Sequence, residues 1–495
     1  MREDWKECSF EDLLDYEQPT KYIVESTKYS DSYKTPVLTA GKSFIKGYTN
    51  ETEGVFNNLP TIIFDDFTTA SQFVNFEFKV KSSAMKILVP TSKLVNMKFA
   101  YYAMQVNKVR NDTHKRYWIS TYSKNKFLLP PLPIQRAIVT KIENLFASLD
   151  KGIADLKKAQ EQLKVYRQAV LKKAFEGELT KEWREKQTNL PTAEELLEQI
   201  KKERQKHYEQ QLEDWKQAVK DWKKNYNENE KPLKPQKPTN LDDKISILED
   251  LSKLMILPSE WANVPLAWLS DNKPNSIVDG PFGSSINVNE DYKETGVPVI
   301  RMVNIRPLRF VAENLKFIIE SKFQQLRRHN ILSGDILIAK VGATIGDCCI
   351  YPENQHEGML STTGSCRVRL DKNIYSNKFL EYYIHYQKYK LKSIASQTAQ
   401  PFLNMKVLKA YPAPFLNISE QHQIVREIES RLSVCDKVEQ NISEGLEKSE
   451  ALRQSILKKA FEGKLLSEAE IEKCKQAADY EPASLLLERI KKEKK

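Results

Sequence analysis

The sequence lacks the roughly 18 consecutive apolar residues that a membrane-spanning helix needs, so a helical membrane protein is excluded. Its opening, Met1-Arg2-Glu3-Asp4-Trp5, is too polar for a signal peptide. Its six cysteines form no C-x-x-C pair, which argues against a disulfide framework or a zinc site and reads as reduced thiols in a cytoplasmic protein. The six histidines are scattered without ligand spacing, so no metal is expected. A phosphate-cradling loop is also missing, because Gly342-Ala343-Thr344-Ile345-Gly346-Asp347 lacks the required lysine. A methyl-donor loop after a strand is absent too. So is the Asn/Asp-Pro-Pro-aromatic loop of an adenine methyltransferase: Leu129-Pro130-Pro131-Leu132 has the prolines but neither the polar residue nor the aromatic ring. The expectation is a chain that is not itself an enzyme and binds no cofactor.

What is present is enough apolar material to fold. Of 495 residues, 40% are hydrophobic and 10% aromatic, which suits two to four domains rather than a disordered chain. The net charge of +10 makes nucleic acid a candidate partner.

The chain also repeats itself. YRQAVLKKAFEGEL at 166–179 returns as LRQSILKKAFEGKL at 452–465, and the offset of 286 holds without a gap back to Gln135 and Gln421. The match includes Ile138-Val139 with Ile424-Val425 and Ile142-Glu143 with Ile428-Glu429. It also takes in the identical seven-residue block that starts at Leu171 and Leu457. A second echo, LLEQIKKE at 196–203 and LLERIKKE at 486–493, follows at an offset of 290. Apolar residues recur with steps of three and four dominating: 138, 142, 145, 149, 153, 156, 163, 166, 170 and 174 in the first copy, and 424, 428, 432, 435, 438, 442, 446, 452, 456 and 460 in the second. This is a coiled-coil stripe on one long helix per copy, each stopping near Gly177 or Gly463. A rod of roughly 65 Å exceeds what one globular core requires. The two stripes match in length, so they are expected to pack on each other.

Between the rods the texture changes. Residues 1–130 and 258–416 carry β-rich runs such as Thr61-Ile62-Ile63-Phe64 and Asp335-Ile336-Leu337-Ile338-Ala339, punctuated by Gly, Asn and Asp. They echo each other weakly: Thr35-Pro36-Val37-Leu38 with Val297-Pro298-Val299-Ile300, and KFAYY at 98–102 with KFLEYY at 378–383. The expected order is a first globule at 1–130, a helical region at 131–204, a charged and proline-rich linker at 205–257, a second globule at 258–416 and a second helical region at 417–495. The linker's spaced prolines, Lys231-Pro232-Leu233-Lys234-Pro235, break any helix and read as a solvated spacer.

The duplicated I-V-x-x-I-E and L-K-K-A-F-E-G helices resemble those of the specificity (S) subunits of type I restriction-modification enzymes, over nearly the whole chain. Leu129-Pro130-Pro131-Leu132 before the first helix, Ser419-Glu420-Gln421 opening the second and Leu257-Pro258-Ser259-Glu260-Trp261 opening the second globule add to the likeness. So do TPVLTAGKSF at 35–44 and IFDDFTTASQ at 63–72. The resemblance implies an α+β fold: two α/β target-recognition domains with an antiparallel coiled coil of two long duplicated helices between them. It implies a cytoplasmic prokaryotic protein that binds double-stranded DNA at a bipartite, asymmetric target. Two modification (methyltransferase) subunits and ATP-dependent restriction subunits are the implied partners, with S-adenosylmethionine, ATP and magnesium bound on those partners. N6-adenine methylation and cleavage would then be the partners' chemistry.

Physical reasoning runs the same way. A duplicated body gives a pseudo-twofold axis that matches the dyad of duplex DNA, and unlike recognition faces read unlike half-sites. Four added helical residues would lengthen such a ruler by roughly 6 Å, close to two base pairs.

Base reading needs side chains that donate and accept on groove edges. The candidates are Thr39, Lys42 and Ser43 in one polar loop of the first globule, and Thr68, Thr69, Ser71 and Gln72 in another. In the second globule they are Arg301, Asn304 and Arg306 after one strand, Lys340 and Thr344 after a second, and Gln397 and Gln400 in a polar loop. Arg327-Arg328 is a phosphate candidate. For each of these a plain turn or solvated edge is the alternative. For the whole chain the alternatives are a specificity subunit of a type II system, a fused restriction-modification protein, or a coiled-coil scaffold that binds no DNA.

Overall fold

A computed structural model describes residues 3–41, 43–107, 117–188, 190–224, 231–235, 237–238, 257–271, 273–396 and 399–494. The chain divides into two compact units: one joins the two ends of the chain, 1–160 with 440–495, and the other is the stretch between them, 161–439.

The two repeats form helices of 44 residues each, Leu132–Phe175 and Ile418–Phe461. Both begin the same way. The buried amide of Gln135 donates to the Pro130 carbonyl at 2.8 Å, and that of Gln421 to the Leu416 carbonyl at 2.9 Å. Both end the same way as well. Gly177 and Gly463 take left-handed φ of 75° and 72°, and the next residue's N–H closes back on the Lys173 or Lys459 carbonyl. A side chain is strained at such a φ, and at Gly177 a methyl group would also run into the Pro258 ring.

In the first unit the two helices run antiparallel. Arg453 pairs with Asp150 and lies over the Phe146 ring, while Gly445 leaves room for Leu156. In the second unit Arg167 bridges Asp436 and Glu439 at 2.7 and 2.9 Å. The apolar stripes face inward except at Tyr166, Val438 and Leu452, which are exposed.

Each unit crosses the start of one repeat with the end of the other. Ile138, Val139 and Ile142 share a core with Ile456, Leu457 and Ala460 in the first unit. Leu171, Ala174 and Phe175 share one with Ile424, Val425 and Ile428 in the second.

The β-rich globules reveal their kinship through topology. In the first unit, Thr35–Leu38 runs parallel to Lys79–Val80 and antiparallel to Ile45–Thr49. In the second, Val297–Ile300 runs parallel to Gly358–Leu360 and antiparallel to Lys316–Ile318. Beside each lies an antiparallel four-stranded sheet. One is ordered Leu14–Glu17, Met85–Pro90, Thr61–Asp65, Ser71–Val74; the other Ile277–Asp279, Ser365–Val368, Ile336–Ala339, Cys348–Ile350.

Alternation along a central strand explains how each sheet carries two cores. Ile62 and Phe64 face the core that holds the long helices, while Ile63 faces a separate core with Leu38 and Val80. Ile336 and Ile338 likewise face the helical core, and Leu337 and Ala339 face Ile300 and Leu360. The KFAYY and KFLEYY echoes are the starts of helices Met97–Val106 and Asn377–Ser393. They are capped by Asn96 and Ser376, whose side chains accept from the Phe99 and Phe379 N–H groups.

The two echoes that follow the long helices are helical too. Ala193–Lys224 belongs to the second unit and Ala483–Glu493 to the first. Each opens with a backbone bond to the start of its unit's globule: Ala193 N–H to the Glu260 carbonyl, and Ala483 N–H to the Asp4 carbonyl. Trp215 on the longer helix donates to the Pro232 carbonyl at 2.9 Å, so the first proline of the expected spacer lies against that helix.

Candidate nucleic-acid interface

In the first unit, Thr39 and Ser43 sit in the turn that joins Thr35–Leu38 to Ile45–Thr49. The Thr39 N–H donates to the Phe44 carbonyl and its hydroxyl to the Ser43 carbonyl, both at 2.9 Å. Ser43 is exposed, and Lys42 lies outside the described residues. The second loop follows Thr61–Asp65 and is organised by Asp65. Its carboxylate accepts from the Phe67 and Thr68 N–H groups at 2.9 and 2.8 Å, and its carbonyl accepts from Thr69. This Asx turn carries Thr69 at a left-handed φ of 56° and leaves Thr68 exposed. Buried Asp66 ties the loop down by accepting from the Trp118 N–H at 2.9 Å. The Ser71 hydroxyl faces inward, where it accepts from Gln105 at 2.9 Å. Gln72 is half-buried.

In the second unit, backbone bonds gather five loops at one end of the two sheets. Gly280 N–H donates to the Ser365 carbonyl, Ser361 to Ile300, Lys340 to Gly364, Gly342 to Pro401 and Leu403 to Lys340, at 2.8–3.1 Å. The loops after 279, 300, 339 and 360 and the segment around 400 are thereby held side by side, and they bring Arg301, Thr344 and Gln400 onto one surface. Gln397 lies outside the described residues.

Two of the contacts expected in this unit are corrected, as is Ser71 in the first, which is buried with its hydroxyl turned inward. Asn304 is fully buried: its amide nitrogen donates to the Val311 and Glu313 carbonyls, and its oxygen accepts from the Arg301 N–H. Lys340 is fully buried too, with Nζ 3.5 Å from Asp279 Oδ2 and 4.7 Å from the Phe402 ring centre. Both brace the loops rather than face a ligand. Arg306 is half-buried, and its guanidinium donates to the Met302 and Ile305 carbonyls. Arg301 keeps part of its surface and donates to the Asn314 carbonyl at 2.5 Å. Thr344 donates to the Val341 carbonyl at 2.9 Å.

Sequence reading missed the Asp279–Ser285 and 361–364 loops as parts of this surface. The glycines at 280, 283 and 364 were the available signal, and at Gly280 the 361–364 loop comes too close for a side chain.

His329 supports the same cluster from below. Its Nδ1 is 2.6 Å from the Asp279 carbonyl. Burial, helped by Arg328 and Arg367, pushes its pKa below the usual histidine value against the pull of that carbonyl. Among the described residues, no group of His, Cys, Asp and Glu is arranged to hold a metal, and no helix is long and apolar enough to cross a membrane.

Comparison with known proteins agrees with this architecture. The family profile for the type I restriction modification DNA specificity domain matches residues 2–158 and 281–448. The chain is 42% identical over 186 residues to the specificity subunit of the type I restriction enzyme EcoR124I/EcoR124II of Escherichia coli, a match that spans 35% of this chain and 45% of that protein. It is 26% identical over 408 residues to the EcoBI specificity subunit of Escherichia coli, spanning 81% of this chain and 72% of that one. Among solved structures, a chain from a study of complex assembly and conformational transition of the type I R-M system aligns with a TM-score of 0.60 at 15% identity, covering 94% of this chain and 99% of that one. The HsdS subunit from Thermoanaerobacter tengcongensis aligns with a TM-score of 0.51 at 16% identity, covering 94% and 98%. At these identities the two structures establish the fold.

Proposed function

The chain belongs to the type I restriction-modification DNA specificity family, and from that membership we propose that it is the subunit that chooses the DNA target while other subunits do the chemistry. The globules at 1–130 and 258–416 each read half of a bipartite, asymmetric site in double-stranded DNA. Two methyltransferase subunits carrying S-adenosylmethionine methylate adenine N6 there. ATP- and magnesium-dependent restriction subunits cleave when they join. The assembly works in the prokaryotic cytoplasm.

The observation that carries this reading is the convergence of five loops on one surface of the second unit, built by a sheet that the first unit repeats with different loop residues. A shared frame with unlike loops suits unlike half-sites. Thr39, Ser43, Thr68, Thr69, Gln72, Arg301, Arg306, Thr344 and Gln400 are the base-edge candidates that keep solvent access. The net charge of +10 supplies phosphate attraction.

The test is genome-wide mapping of N6-methyladenine in cells with and without the gene. A bipartite motif that disappears with the gene is expected. No lost motif, together with duplex affinity that does not fall as salt rises, would reject the reading in favour of a coiled-coil scaffold.

A further inference from the structure

Phe282 is 77% exposed at the tip of the loop that leaves strand Ile277–Asp279. An exposed phenylalanine alone has no meaning, but this one is held out by a braced loop. At the root, the Asp279 carbonyl lies against His329 Nδ1 and the Asp279 carboxylate against buried Lys340. Gly280 donates to the Ser365 carbonyl and lies so close to Thr362 that a methyl group would collide with the Thr362 carbonyl. Pro281 fixes its own φ. After the tip, Ser285 N–H returns to the Phe282 carbonyl at 2.8 Å, and Ile286 is buried beside Val299 and Met359. The loop is therefore pinned on both sides while its ring stands in water.

Burying a phenylalanine ring is worth roughly 1.5–3 kcal/mol, and this loop forgoes most of that gain in the free chain. The ring's neighbours say what could cover it. The 361–364 loop, against which Gly280 packs, carries hydroxyls, and Arg301 and Thr344 stand on the adjoining loops. A surface of short polar side chains matches the edges of bases. A flat apolar ring among them matches a base face. Val303, 49% exposed on the turn next to Arg301, adds a second apolar atom group to the same surface.

We propose that Phe282 is a stacking wedge: when the second globule engages its half-site, the ring enters a base step of the duplex and partly unstacks it. This inference rests on the DNA-recognition reading and deepens it by naming how one half-site is deformed. Inserted apolar side chains kink the duplex, at a cost repaid by the extra surface brought into contact. Pyrimidine–purine steps open most readily, so such a step is expected within or beside the half-site read by residues 258–416.

The experiment uses the full chain co-expressed with its methyltransferase subunit, and duplexes carrying the mapped site with 2-aminopurine at each purine except the methylated adenine. The wild type is expected to raise the fluorescence of one such probe on binding. F282A should lose that rise and bind about tenfold more weakly, whereas F282W should keep both. The slope of affinity against salt should be the same in all three, because the ring carries no charge. If F282A keeps the fluorescence rise and binds within twofold of wild type, the proposal is wrong. It is equally wrong if F282A fails to assemble with the methyltransferase subunit and the DNA signals of the assembled fraction are unchanged, which would make Phe282 a protein contact. Absence of salt-dependent binding by the wild type would instead reject the DNA reading on which it rests.

Discussion

The indole nitrogen of Trp261 donates to the buried carboxylate of Glu420 at 3.1 Å. Thr180 donates to the same carboxylate at 2.7 Å, and the Arg184 guanidinium pairs with it. The repeat offset places Ile134 where Glu420 stands and Leu466 where Thr180 stands, and both pack in the core of the first unit. There the Trp5 indole nitrogen is buried without a partner among the described residues. One copy of the frame thus closes this junction with a polar knot and the other with apolar side chains.

The knot makes a prediction about stability. Glu420→Ala takes the acceptor from Thr180 and Trp261 in a largely buried place and leaves Arg184 with only the Gly177 carbonyl at 3.3 Å and Glu260 at 3.8 Å. It should cost about 3–5 kcal/mol, the usual penalty for removing one partner of a buried ion pair. The combination Thr180→Leu, Glu420→Ile and Arg184→Met imitates the apolar version and should recover most of that loss. Urea denaturation of the three proteins decides it: a Glu420→Ala midpoint equal to wild type would contradict the assignment.

A second prediction concerns the crossing of the repeats. Phe175 is 2% exposed and meets the rings of Phe379, Tyr383 and Tyr386 at 5.3–5.4 Å between centres. Its repeat partner Phe461 is only partly buried and meets Phe99 at 5.1 Å. Phe175→Ala should therefore cost about 3–5 kcal/mol, and Phe461→Ala clearly less. Equal shifts in thermal midpoint would mean that the two helix ends are held alike.

These junctions show what the sequence could and could not reveal. The helices, their glycine stops and their mutual packing were legible because a seven-residue identity and a three-four periodicity survive in both copies. The shared sheet was legible only as faint echoes, since strands conserve a period of two and little else. The fates of Asn304 and Lys340 were not legible. Whether a polar side chain faces water depends on carbonyls and carboxylates such as Val311, Glu313 and Asp279, which reach it through the tertiary fold. The exposure of Phe282 was hidden for the complementary reason: an aromatic residue in a turn reads as core until the core is seen to omit it.

The burial of His329 predicts a pH dependence. Its folded pKa lies below the value near 6.5 of the unfolded chain, with burial as the main cause. The unfolded state therefore takes up the proton first as the pH falls. Stability contributed by the neutral ring is complete above that value and is lost as the pH drops below it. His385, also lowered mainly by burial, acts in the same direction. Denaturation midpoints should fall between pH 7.5 and 5.5, and His329→Gln should flatten that slope. An unchanged slope in the variant would assign the dependence to other groups.

Lys340 and Thr344 lie four residues apart and should fail in different ways. Lys340 is enclosed between Asp279 and Phe402, so Lys340→Ala removes a buried cation from beside the part-exposed Asp279 carboxylate and loosens the root of the Phe282 loop. Its main effect should be on folding, a loss of about 1–3 kcal/mol, with affinity for all duplexes falling together. Thr344 is half-buried on the gathered surface, and its hydroxyl meets only the Val341 carbonyl among the described contacts. Thr344→Ala should change stability by under about 0.5 kcal/mol. If its hydroxyl reads a base edge, the variant should tolerate a changed base at one position of the methylated motif, with that preference weakened by about 1–3 kcal/mol. Motif mapping for both variants separates the roles. Relaxed specificity in Lys340→Ala at wild-type stability would return Lys340 to the reading surface, and an unaltered motif in Thr344→Ala would remove Thr344 from it.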